Sequence, residues 1–542
     1  MAKVVTENFR VESTNEFVDS FATANGNNYY IMASSMAEDT TISNTQKDIR
    51  EFQRKVIFGN KIASDDVRYM FDIKPWSTGT VYDAFDDTQD MSTKNFYVTV
   101  LDGTINETSY KVFKCIRNND GAVSTDKPST ADLNSLYEKT SRDGYVWKYL
   151  FDVPPAQYLL FGTSKFLPYI ANSTVSAAAQ QGISDIIIQN SDVGAFKAYL
   201  VGEDDTPTKA TISSVSESVV ANRYELSLTT TKIPKSGSGS YQNMYVRVTN
   251  TGQIFDIVTS AVPSGVDTTT NRTLILFVDN PTTLSALAGQ SCEVIPKIEV
   301  TPPDNATGTR AIAYGVLNNE GTLTSVNFQT KGSGYTFAQA TVSKPPAIEL
   351  SSTTAKTIMS PNGGHGSDPV HELFMSRVAT VTSFVTDTNT SIPPTNTFTK
   401  VGLVKNPTFR DSTHPADFDN RTLLIINGVQ LTDLQASVGF HVSQTIGTQT
   451  VSGTIHQITK IGGNTQLYIV DAVGPYSAEF STGSFSIKQT STSTNTTYVG
   501  TINTITLDKY TPYTGEVMHF VDFDPITRTE TSKEKVKLIF DF

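Results

Sequence analysis

The 542 residues carry 54 Asp and Glu against 42 Lys and Arg, a formal net charge of −12, with charged residues making up only 18% of the chain. An acidic balance without a Lys/Arg block argues against a nucleic-acid groove, and the surface polarity has to come largely from Thr, Ser and Asn. With 34 Gly, 29 Phe and 22 Tyr, the composition reads as a β-rich virion-type or extracellular protein and not a helical enzyme.

The N-terminal stretch 1–10 has no apolar h-region, so no signal peptide is expected. No apolar run approaches the ~20 residues of a membrane-spanning helix. Ser13-Thr14-Asn15-Glu16 forms a capping box, and Phe17 and Phe21 follow at i, i+4, which predicts a short helix. Ser43-Asn44-Thr45-Gln46 is a second box. Ile49, Phe52 and Val56 then extend a helix over about 44–57, with Lys47, Arg50, Glu51 and Arg54 on its solvated side. Strands are predicted at Asp66–Ile73, Asn95–Asp102 and Tyr110–Asn118, the last ending in the turn Asn118-Asn119-Asp120-Gly121. The segment 122–142 is polar, with a weak helical patch around Leu133 and Leu136. An Asp143-Gly144 turn opens a strand of strict alternation. Tyr145, Trp147, Tyr149 and Phe151 fall on one face; Val146, Lys148 and Leu150 fall on the other. Pro154-Pro155 ends it and starts a helix, Ala156–Phe161, which stops at Gly162.

From about 171 to 350 the sequence turns Thr/Ser-rich, with short strands such as Arg223–Thr229, Met244–Thr249 and Leu274–Val278 and a flexible loop at Ser236–Ser240. A weak repeat relates Gly182–Asn190 to Gly321–Thr330. Each copy follows an Ala-rich lead-in, Ala177–Ala179 or Ala311–Ala313, and only the second continues into Gly332-Ser333-Gly334-Tyr335-Thr336. Ser360–Ser367 is a turn-rich hinge. Beyond 411 the pattern is again all β: Leu423–Ile426, Gln466–Val470 and Phe485–Ile487, with a polar linker at Ser491–Thr497. In the last strand Val536, Leu538, Phe540 and Phe542 share a face, so burial in a sheet is expected.

Catalytic constellations are weak. His365, His371 and Glu372 lack the spacing of a zinc site. Asp522-Phe523-Asp524-Pro525 begins like a calcium loop without its later Gly and Glu, and Asp86, Asp87 and Asp90 read as a solvated turn. Asp143 and Asp152 flank the aromatic strand, yet Asp143 is explained by its turn. Gly237-Ser238-Gly239 lacks a strand-to-helix elbow, and no phosphate-binding Gly-x4-Gly-Lys motif occurs. Cys115 and Cys292 read as buried thiols. No enzyme, metal or cofactor is expected.

Four stretches carry a resemblance. The run Asp143-Gly144-Tyr145-Val146-Trp147-Lys148-Tyr149, ending in Pro154, resembles the signature of the baseplate wedge subunit family, the gene-8 product of T-even-type contractile-tailed phages. The stretch Phe398–Pro407, with Asn406-Pro407, is similar to that family's late strand. Gly515-Glu516 and the final strand to Phe540 and Phe542 are similar to its C-terminus. Trp76, Gly79 and Tyr82 match a segment of longer members. The resemblance covers roughly 1–170, 395–410 and 505–542. It implies a mainly β, multi-domain chain with a β-sandwich-like core, a few short helices near the N-terminus and inserted small β domains. Core segments are expected at 1–170, 391–410 and 506–542. Insertions are expected at 171–390, with repeat halves near 175–200 and 310–345 around a β domain at 200–300, and at 411–505. It further implies a homodimeric structural subunit of the virion, assembled in the host cytoplasm with other wedge proteins and in peripheral contact with tail fibre or pin proteins. From the acidic charge and the lack of a long apolar run, no nucleic-acid partner and no membrane insertion are expected. The baseplate so built attaches to the host and triggers sheath contraction. The runner-up is a trimeric tail fibre or adhesin that binds host surface glycans, and a polysaccharide-degrading tailspike is a weaker third.

Overall fold

A computed structural model describes residues 5–35, 45–102, 109–199, 210–220, 222–230, 238–263, 272–279, 285–346, 348–384, 398–473, 479–522 and 534–542. The chain is mainly β, with several sheets and few, short helices. It divides into two units. One gathers 1–72, 156–169 and 374–542; the other gathers 73–155 and 170–373. The 1–170 stretch is therefore shared between both.

In the first unit a five-stranded antiparallel sheet runs in the order Asp417–Asp419, Val56–Ile62, Tyr29–Ser34, Lys400–Lys405, Glu516–Asp522. A four-stranded sheet runs Lys535–Asp541, Arg377–Ser383, Val67–Asp72, Phe166–Pro168. Ile31, Leu403, Val67, Val378 and Leu538 share one core with Phe17 and Phe21 of the first helix. The other side of Tyr29–Ser34 packs Tyr30 and Met32 against Phe52, Phe418 and Tyr510. All six residues of that strand are buried. A strand buried on both faces has no alternation to read, and the sequence predicts none there.

The first helix spans Glu7–Asp19, not a start at Ser13. Thr6 caps it, and the Ser13 and Thr14 hydroxyls donate to the carbonyls of Phe9 and Arg10 at 2.9 and 2.7 Å. The supposed box is mid-helix back-bonding. The second helix is Gln46–Arg54, capped by Thr45, and Val56 already pairs with Ser34 in the sheet; Ser43 and Asn44 lie outside the described residues. The C-terminal strand forms the sheet edge. Val536, Phe540 and Phe542 pack on the core, but only Leu538 is buried.

Within the same unit, strands between Thr422 and Thr506 form a sheet in the order Thr496–Ile502, Gly483–Lys488, His441–Ile446, Gln449–Ile461, Asn464–Val473, Thr422–Ile426. The chain continues past Asn503 as Thr504–Thr506, which pairs with Thr422–Ile426. The sheet thus curls back on itself around Leu424, Leu467, Ile469 and Ile487. Asp417–Asp419, inside the expected 411–505 insertion, instead joins the core sheet.

In the second unit, Ala210–Glu217, Arg223–Thr230, Arg272–Asp279, Ile254–Ala261, Met244–Val248 and Ser291–Val300 pair in that order. Ala210 and Thr211 then pair with Cys292 and Ser291, closing a six-stranded barrel. Its sheet continues into Ile312–Leu317 and Leu323–Thr330. Both copies of the weak repeat are strands, in different sheets: Ile183–Gln189 pairs with Thr354–Met359. Their lead-ins differ too, since Ala177 ends a short helix and Ile312 starts a strand. The remaining sheet runs Tyr97–Asp102, Ser109–Asn118, Tyr145–Val153, Glu138–Thr140. Leu133 lies in irregular chain and Leu136 in a turn, not in a helix.

Candidate functional site

The sheet built on Tyr145–Val153 has two unlike faces. On one, Tyr145, Trp147 and Tyr149 pack with Tyr82, Phe113 and Cys115. Tyr145 and Trp147 stack at 5.5 Å, and Tyr82 meets Trp147 edge-on at 5.5 Å. Phe151 is buried but leaves this stripe, because the pairing with Ser109–Asn118 slips by one residue between Tyr149 and Phe151.

The other face, which carries Lys148, is buried and ionic. Lys114 and Lys148 stand directly opposite on neighbouring strands, and Glu138 stands opposite Lys148 on its other side. Like charges in such a row repel, so partners have to come from elsewhere. Lys114, wholly buried, pairs with Glu372 at 2.7 Å and lies 4.0 Å from the centre of the Phe85 ring. Glu138 accepts from Lys331 at 3.1 and 3.2 Å. Arg117 grips Asp185 with two nitrogens and donates to the Val326 carbonyl at 2.9 Å.

Local turns place these groups. Asp368 caps the single-turn helix Pro369–Glu372, setting Glu372 at its end. The Gly366 N–H donates to Glu372 Oε1 at 2.6 Å. Gly366 has φ +84°, and a Cβ there would stand 3.1 Å from Lys148 Cε, so only glycine combines this conformation with this approach. Asn134 Oδ1 accepts the N–H groups of Leu136 and Glu138, fixing the turn before Glu138–Thr140.

Burial alone would raise the Glu372 carboxyl. The Lys114 ammonium and His365 outweigh it and hold it down at about 2. Burial, with Lys114 nearby, pushes His365 down to about 4. Burial also lowers Lys148 to about 8, although Glu138 and Glu372 oppose the shift. His365 Nε2 lies 2.9 Å from Ser184 Oγ, and Nδ1 lies 3.8 Å from Glu372 Oε2. The order is that of a Ser–His–Glu triad, but Glu372 is already held by Lys114 and Gly366, and all three residues are buried. A groove of about 430 Å³ lies alongside, lined by Arg117, Glu138, Asp185 and Lys331 with Asn134, Tyr314, Asn327, Phe328 and Gln329.

The residues singled out in the sequence fall into two places. Trp76, Tyr82, Tyr145, Trp147 and Tyr149 share the aromatic core. Trp76 Nε1 donates to Ser124 Oγ at 3.1 Å, and Gly79 turns beside it, its N–H donating to the Ser124 carbonyl. Asp143 accepts from Ser124, Thr125, Asp126 and Tyr145 around the Gly144 turn. Pro154 is exposed just before the helix Pro155–Phe161. In the first unit, Asn406 accepts from the Asn28 N–H at 2.8 Å. A Cβ on Gly515 would stand 2.9 Å from both the Lys405 carbonyl and Pro407 Cα, and Glu516 pairs with Lys405. Phe540 and Phe542 lie 5.3 and 5.1 Å from Phe17.

His371 binds Asp368 at 2.6 Å, apart from the buried His365–Glu372 contact. Among the described residues no group of three or more His, Cys, Asp or Glu is placed to hold a metal. Asp86 is held by Thr88, Gln89 and Lys356, and Asp90 caps a short turn. Asp143 lies in the turn before the strand and Asp152 near its far end; the extended run from Tyr145 to Asp152 spans roughly 20 Å, too far for a glycosidase pair. Phe523, Asp524, Pro525 and Gly237 lie outside the described residues. Cys115 and Cys292 are buried and free. The missed groups did leave a signal: Lys114 and Lys148 each sit inside an otherwise apolar strand core.

No protein-family model matches this chain, and no curated protein matches it.

Proposed function

We propose that this chain is a non-enzymatic structural subunit of a phage tail baseplate wedge. The reading is supported by where the resemblance falls: its residues build framework, the aromatic core around Trp147 and the core edge around Asn406, Gly515 and Phe540. In this reading the protein is a homodimer in the virion that joins other wedge proteins, with an interface on the order of 2,000 Å² or more, and meets tail fibre or pin proteins at the periphery. Light scattering on the purified chain tests it. A mass of 118 kDa, twice the 59.0 kDa chain, supports the wedge subunit, and a trimer removes it. Replacing 422–506 by a short linker leaves the dimer intact if the curled sheet it forms is an outer decoration.

The groove beside Arg117 and Lys331 favours a second reading, a glycan-binding adhesin. Amide side chains from Asn134, Asn327 and Gln329 with the rings of Tyr314 and Phe328 suit sugar hydroxyls and apolar ring faces. A trimer together with binding on a glycan array would move the assignment there.

A further inference from the structure

The ionic face of the second unit leaves one cation over. Lys114 is matched by Glu372, Lys331 by Glu138 and Arg117 by Asp185. Lys148 is 2% exposed and has no carboxylate within ion-pair distance among the described residues. An ammonium has three N–H donors. Lys148 donates to the Leu136 carbonyl at 2.5 Å and lies 5.8 Å from the centre of the Tyr137 ring. Its other donors have no acceptor among the described residues. A buried charge in that condition is unfavourable unless something compensates it.

A cavity of about 30 Å³ adjoins this group, lined by Leu136, Glu138, Lys148, Lys331, Ser360 and His365 among others. It has room for a particle of about the size of one water molecule or halide ion. Its charged walls are Lys148, Lys331 and Glu138, a surplus of one positive charge. Glu138 spends both oxygens on Lys331. Ser360 Oγ accepts the Gly182 N–H at 3.0 Å and donates to the Pro361 carbonyl. His365 Nδ1 is buried without a hydrogen-bond partner among the described residues. With Ser184 donating to Nε2, Nδ1 carries the proton and faces Glu372 Oε2 at 3.8 Å, so the cations of the cavity are its two lysines.

We propose that this cavity is a binding site for a single halide-sized monovalent anion, held by the ammonium of Lys148, whose charge the Lys331–Glu138 pair beside it leaves unbalanced. Loss of the Lys148 proton is the competing remedy. Burial lowers that group only to about 8, so at neutral pH it stays mostly charged. The cavity shares Leu136, Glu138 and Lys331 with the larger groove, which gives the ion a way in. The ion neutralises a row of facing lysines that the three carboxylates do not fully balance.

Bromide is the probe. In crystals of the full chain grown in sodium bromide, the expected result is an anomalous peak in the cavity within hydrogen-bonding reach of Lys148 Nζ. In solution, thermal unfolding of the full chain is compared in chloride, bromide and gluconate at one ionic strength. Halide at ten times its dissociation constant raises Tm by about 2–4 °C, and Lys148→Met abolishes the halide dependence. If Lys148→Met does not fold, the anomalous peak in the unaltered protein decides alone. A site holding water only in bromide crystals overturns the proposal, as does a Tm equal in halide and gluconate.

Discussion

Glu372→Gln isolates the contribution of the buried pair. The change keeps shape and removes one charge, leaving the Lys114 ammonium, 0% exposed, without its counter-ion. Two routes give the magnitude. The folded-state value of about 2 against an ordinary 4.5 corresponds to roughly 3 kcal/mol at about 1.4 kcal/mol per pH unit. Removing one member of a buried pair costs about 3–5 kcal/mol in general. Because the folded carboxyl titrates lower, the unfolded chain takes up the proton first as pH falls. The stabilisation is complete above about 4.5 and lost as pH drops towards 2. Urea unfolding at pH 7 measures the loss. Lys114→Met should cost a similar amount, and the double variant much less than the two together, since it leaves no lone charge. A Glu372→Gln loss below about 1 kcal/mol, or additive single changes, would refute the view that Lys114 depends on Glu372.

His365 titrates near 4 in the fold against 6.5 when free. Between those pH values the unfolded chain binds the extra proton, so stability falls by about 1.4 kcal/mol per pH unit on acidification; His365→Asn should flatten that slope in Tm measurements. His456, in the first unit, is also pushed down to about 4 by burial and by Arg421, so the slope lost with His365 should appear in one unfolding transition and not in both. Trp147→Ala empties the aromatic core and should cost about 3–5 kcal/mol by chemical unfolding. Trp147→Phe should cost much less, because Trp147 Nε1 has no hydrogen-bond partner among the described residues.

The fold was legible where one face of an element meets solvent or a distinct layer. Tyr145–Val153 was readable in its bounds and in the shared face of Tyr145, Trp147 and Tyr149, but not in Phe151, which a bulge turns away, and Arg223–Thr230 alternates in burial along its length. Tyr29–Ser34 was not, because both its faces are covered. The first helix was misplaced by seven residues, its cap being Thr6 and not Ser13, because Ser13 and Thr14 have capping chemistry but spend it on carbonyls behind them. Barrel closure by Ala210 and Thr211 against Ser291 and Cys292 is a pairing about 80 residues apart along the sequence, which no local pattern encodes.

The ionic site was half legible, and the reason bears on what it does. Alternation puts Lys148 on the face away from Trp147, where the structure has it. It cannot say that this face is covered, because the cover comes from distant sequence. The second unit is discontinuous, interrupted by 156–169. Each pair crosses that break: Lys114 to Glu372, Arg117 to Asp185, Glu138 to Lys331, and Asp86 to Lys356. Apolar residues would bury as much area, but they would accept many registers between the two stretches. Paired charges tolerate few, since a shift of one residue strands a buried ion. The face opposite the aromatic core therefore acts as a key that fixes how 170–373 seats on 73–155. That precision suits a subunit whose proposed role is to hold a defined shape inside a larger assembly.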